Sequence, residues 1–152
     1  MKKGREIRNL PVIDYFGGRH LGYVQDFKTT PYDKLQGLYI VSLENDIFYL
    51  PLEAIAKLGN DAVLVKSELL KVSTGQTEWG EDLGLTERVV LTSSGEVIGQ
   101  VSDLLIEEKE GNIWGYEVTD GYLKDVFLGR RVIATADILT WGKDTVIVKD
   151  NL

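Results

Sequence analysis

Short apolar, β-branched runs recur along the chain, separated by residues that favour turns. Pro11-Val-Ile-Asp14 and Val89-Val-Leu-Thr92 predict opening strands. Phe16-Gly-Gly18 and Ser93-Ser-Gly95 are turn material, with glycine free to take positive φ. HLGYVQDF from His20 and VIGQVSDLLIEE from Val97 predict long second strands. In the latter, Gln100 and Val101 alternate sides, whereas Leu104, Leu105 and Ile106 are all apolar. A β-bulge beside Asp103, and beside Asp26 in the first run, accounts for this change of phase. GLYIVSLENDIFYLPL predicts a hairpin turning at Glu44-Asn45-Asp46. PLEAIAKLG from Pro51 and TADILTWG from Thr135 predict short helical turns, the second capped by Thr135 or Asp137. DAVLVK and DTVIVK close the pattern as strands.

The pattern occurs twice. Gly18, Gly22, Val24 and Asp26 align with Gly95, Gly99, Val101 and Asp103, an offset of 77. Ile55, Gly59, Asp61, Val63, Val65 and Lys66 align with Ile138, Gly142, Asp144, Val146, Val148 and Lys149, an offset of 83. Two colinear blocks with nearly conserved spacing point to a tandem repeat. The expected division is a first unit at 1–75, a connector at 76–82 and a second unit at 83–152. The surplus in the second unit falls around DGYLKDVFLGRR, where Leu123, Val126 and Phe127 have helical spacing. A short strand is expected at 69–72, before the connector.

Composition narrows function mainly by exclusion. A net charge of −7 opposes direct nucleic-acid binding, which needs clustered Lys and Arg. MKKGREIR is the one basic patch and reads as a solvated leader without an apolar signal core. EEKEGN from Glu107 reads as a solvated turn tip. The absence of cysteine removes disulfides, thiolate catalysis and Cys-based zinc sites. His20, the single histidine, has no evident triad partner and reads as a turn or surface residue. No apolar run reaches the ~20 residues of a membrane helix, so the expectation is a cytoplasmic chain without membrane insertion. No motif implies a cofactor, a metal or a catalytic residue. Asp26 and Asp103 could pair as catalytic carboxylates. The preferred role is structural, accepting backbone N–H groups freed by a bulge.

LPVIDYFGGRHLGYVQDF and VVLTSSGEVIGQVSDLLI, each followed by a hairpin and then Gly-x-Asp before a Val-rich strand, resemble the PRC-barrel family in its tandem, YrrD-like bacterial form. Ala134 departs from the pattern where Pro51 fits it, and DYFGGR makes an atypical first turn. The resemblance implies a mainly all-β fold of two tandem small PRC-type β-barrels with short helical turns. It implies a non-enzymatic protein-interaction or assembly module. The alternatives are a ribosome- or RNA-processing-associated factor, and a small-ligand binder or enzyme. The expected partner is a protein. Trp79, Trp114, Tyr122 and Phe127 are candidate interaction or inter-barrel aromatics, while Gly18, Gly22, Asp26, Gly95, Gly99 and Asp103 are structural turn and bulge positions. Units this small bury little apolar area alone. They are therefore expected to pair about a pseudo-two-fold axis within a monomer, with Trp79 or the segment 122–129 near the seam.

Overall fold

A computed structural model describes residues 1–29, 32–66, 71–72, 88–119 and 131–150. The fold is all-β apart from one helical turn and two 3-10 turns among these residues. The first sheet comprises β2 (Pro11–Asp14), β3 (His20–Thr29), β4 (Leu35–Ser42), β5 (Ile47–Pro51), β6 (Ile55–Leu58), β7 (Val63–Val65) and β8 (Lys71–Val72). Its order is β6-β7-β2-β3-β4-β5-β8. The second comprises β9 (Val89–Thr92), β10 (Val97–Ile106), β11 (Ile113–Thr119), β12 (Arg131–Ala134), β13 (Ile138–Trp141) and β14 (Thr145–Val148), ordered β12-β11-β10-β9-β14-β13. From β13 to β12 this repeats the path from β6 to β5. The one parallel pair of each sheet, β2 with β7 and β9 with β14, falls at the same place.

The registers also correspond. Gly37 faces Pro51 across β4 and β5, and Gly115 faces Ala134 across β11 and β12. A Cβ on Gly37 or Gly115 would meet the carbonyl oxygen of Leu50 or Ile133, so these strands approach too closely for any larger residue. Ala134 thus occupies the position of Pro51, with similar backbone angles.

Closed barrels are not formed by the hydrogen-bonded ladders of the described residues. The paths end at β6 and β8, and at β12 and β13. Leu52–Ala54 and Thr135–Asp137 form 3-10 turns that interrupt the ladder, so the strands flanking each turn do not pair. The helical turns are therefore shorter than predicted, because Ile55 and Ile138 already begin strands. Neither Thr135 nor Asp137 caps its turn. Ala134 holds the N-cap position, Thr135 Oγ1 donates to the Trp114 carbonyl, and Asp137 pairs with Lys149.

The N-terminal segment is not a solvated leader. β1 (Lys2–Lys3) adds to β10 opposite Ile106 and Leu105, and α1 (Gly4–Ile7) follows as a single turn. Ile7 is fully buried within an apolar cluster that contains residues of both sheets, from Val12 and Val24 to Val146 and Val148. Burying such a side chain is worth roughly 1.5–3 kcal/mol. A chain that begins in the first unit thus contributes a strand to the second sheet.

The tip after β10 is likewise more than a solvated charge run. Glu108 meets the N-terminal amine at 2.9 Å. Leu35 N–H donates to Gly111 C=O at 2.8 Å, and Ile113 N–H donates to Asp33 C=O at 2.9 Å, around a bridge between Lys34 and Asn112. In the β4/β11 alignment, Asp33, Lys34 and Leu35 correspond to Gly111, Asn112 and Ile113. The two bonds therefore exchange when the halves are exchanged. Beside them Tyr32 stacks on Trp141 at 5.7 Å, and the Tyr116 hydroxyl donates to the Tyr32 carbonyl. Burial raises the Tyr116 phenol above its ordinary range.

Candidate interaction site

The two Gly-x-Val-x-Asp runs build matching bulges. Register shifts between Val24 and Asp26, and between Val101 and Asp103. Phe27 N–H donates to Asp26 Oδ1 and Leu104 N–H to Asp103 Oδ1, both at 2.8 Å. Close approach explains the glycines before them. A Cβ on Gly22 would collide with the Val41 carbonyl oxygen, and one on Gly99 with that of Thr119. Each aspartate receives its own arginine from the N-terminal segment, Arg8 on Asp26 at 3.0 Å and Arg5 on Asp103 at 3.4 Å.

Electrostatically the bulges differ. Asp26 retains 24% of its side-chain exposure, Asp103 only 2%. Asp103 lies opposite Glu117, also buried, in the register position that Tyr39 holds in the first sheet. Arg5 reaches Glu117 at 2.7 Å and Lys3 reaches it at 3.2 Å. The Arg5 backbone N–H adds a 3.0 Å bond to Asp103. The hydrogen bond to Glu117 holds the guanidinium pKa above its ordinary value. This cluster is compensated from within the chain.

The first turns share a frame but differ in surface. Gly18 and Gly95 both take positive φ, at 66° and 87°, in open space. In the second half, Ser93 and Ser94 donate their hydroxyls to Asp150 at 2.7 and 2.6 Å, which lowers the Asp150 pKa. In the first half the turn is one residue longer, with Tyr15, Phe16 and Gly17 between Asp14 and Gly18 where the second half has Ser93 and Ser94 between Thr92 and Gly95. Asp14 Oδ1 accepts the Phe16 N–H at 3.1 Å and holds the turn, leaving both rings outside. Phe16 is 70% exposed, and the rings meet edge to face at 5.3 Å. Next to this turn lies a depression of about 260 Å³ lined by Arg19, His20, Leu21, Leu43 and Phe48, with Leu43 itself exposed. His20 is half-buried, its ring edge-on to Tyr23 at 4.8 Å.

Trp114 lies exposed on β11. Trp79, Tyr122, Phe127 and the connector at 76–82 lie outside the described residues, and β8 falls within the strand expected at 69–72. The aromatic turn was not singled out in the sequence. Its signal was available in the comparison of the two turns, where Tyr15-Phe16-Gly17 stands against Ser93-Ser94.

An all-β half with an opening strand, a Gly turn, a bulged second strand and a 3-10 turn before the closing hairpin has a counterpart among known families. Residues 85–151 match the PRC-barrel domain. The match spans β9 to β14. The PRC-barrel domain is a protein-interaction type of module, and its family is in general non-catalytic. No curated protein matches the chain. No helix among the described residues is long and apolar enough to cross a membrane.

Proposed function

We propose that the chain is a non-enzymatic protein-interaction module made of two tandem PRC-type units, and that the aromatic turn of the first unit is its principal contact. Support for duplication comes from the shared strand order, registers and bulges of the two sheets. The division at 1–75 and 83–152 fits this reading, with the N-terminal segment acting as a tie across it. The observation that carries the interaction role is the solvent-facing pair Tyr15 and Phe16 on a turn whose counterpart bears two serines tied to Asp150. Aromatics dominate interface energetics when a partner buries them. The adjoining depression, with Leu43 and Phe48, gives a second ring or aliphatic side chain somewhere to insert. Trp114 is a secondary contact on the other sheet.

The test is affinity capture with the tagged full chain, comparing wild type with Tyr15→Ser/Phe16→Ser. Loss of a specific protein in the variant, with an unchanged melting temperature, is the expected result. A partner retained equally by both forms places the contact elsewhere.

A further inference from the structure

The geometry points to the outer edge of β12 as a site that accepts an extended segment of a partner polypeptide, added antiparallel as a further strand. The argument is independent of the aromatic turn and rests on what covers the matching edge. In the first sheet β8 lies on β5, with Phe48 opposite Val72 and Tyr49 opposite Lys71. Through the shared register, Phe48 and Tyr49 correspond to Arg131 and Val132 of β12. Among the described residues no strand occupies that side of β12. Val132 is 43% exposed, whereas Tyr49 is half-buried.

Antiparallel ladder groups alternate sides, so one member of the pair Arg131 and Val132 points its N–H and C=O away from β11. Such an edge is a template for strand addition unless a proline, a bulge or an inward charge blocks it. β12 contains no proline, and its register with β11 has no shift. The first sheet shows that an antiparallel strand is accepted in this position. The occupant is therefore an extended peptide without proline, held by backbone bonds and not by a deep side-chain pocket.

The probe is a synthetic peptide of residues 67–74, SELLKVST, which contains the strand that covers β5. It is titrated into the isotope-labelled full chain while amide shifts and hydrogen exchange are followed. Saturable shifts at Arg131–Ala134, slower exchange of the outward amide there, and loss of both effects with a backbone N-methylated peptide are expected. Absence of shifts at β12, or equal effects from the N-methylated peptide, overturns strand addition. Two results in the peptide-free protein also overturn it. Slow exchange of that amide at every concentration means the chain covers its own edge, and slowing only as protein concentration rises means a second copy does.

Discussion

The bulge at Asp26 and the bulge at Asp103 have the same backbone but different surroundings, and the difference shows what holds the two halves together. Asp26 is partly solvated and is met by Arg8 and the Phe27 N–H. Asp103 is buried beside a second buried carboxylate, Glu117; Arg5 serves Asp103 through its guanidinium and its backbone N–H, and Arg5 and Lys3 together serve Glu117. All the cations come from one N-terminal segment of eight residues, which passes between the sheets. The shared bulge sets the two aspartates, Glu117 stands where the first sheet has Tyr39, and the N-terminal segment supplies cations to all three. The seam is thus symmetric in its backbone bonds and asymmetric in its charge.

The strongest way to break the comparison is to attack what the bulges share. Gly22→Ala and Gly99→Ala each push a Cβ into a neighbouring carbonyl, and neither strand can retreat without losing its ladder. Each should cost at least about 4 kcal/mol in denaturant unfolding. A large cost at one glycine and a negligible one at the other would show that the strands are not equivalent.

Attacking the difference comes next. Arg5→Ala removes the cation that Asp103 and Glu117 share, while Lys3 stays on Glu117. Removing one partner of a buried ion pair costs ~3–5 kcal/mol, and the half-exposed Arg5 with Lys3 retained lowers the expectation to about 2–3 kcal/mol. Arg8→Ala acts on a more solvated pair and should cost about 0–1 kcal/mol from charge. Loss of its contact over the Phe27 ring adds a little more. Equal losses by urea denaturation would erase the asymmetry.

Two smaller effects sharpen the contrast between the first turns. Tyr15→Ser/Phe16→Ser should change stability by no more than about 0.5 kcal/mol, because rings already in water lose little when removed. Asp150→Asn should lower the melting temperature slightly at neutral pH. Hydrogen bonds from Ser94 and Ser93 hold the folded carboxylate below its usual pKa. Its stabilisation is therefore present above the unfolded carboxylate value and is lost as pH falls through the folded one. The difference between wild type and Asp150→Asn should shrink on acidification, as followed by thermal melts across the carboxylate range.

Local chemistry explains which features were legible in the sequence. Gly turns, the phase change beside each Asp and the Asn45 turn all show in neighbouring residues, and Asn45 indeed has φ of 68°. The role of Lys3 and Arg5 did not show, because their partners Asp103 and Glu117 lie about a hundred residues away. Nothing in KKGRE distinguishes a buried tie from a solvated leader. The open ends of the sheets were also hidden, since barrel and open path share the same period-two strands. Phe16 was hidden by its setting, for an aromatic beside a Gly turn reads as turn material until the serines opposite it are seen.

The central claim is that the two sheets, joined by reciprocal bonds at 33–35 and 111–113 and by the N-terminal segment, unfold as one body. Native-state hydrogen exchange across a denaturant series tests it most directly, comparing core amides of β4, such as Ile40, with those of β11, such as Tyr116. The account predicts that both sets converge on one global free energy with one denaturant slope. Two separate plateaus, one for each sheet, would contradict it.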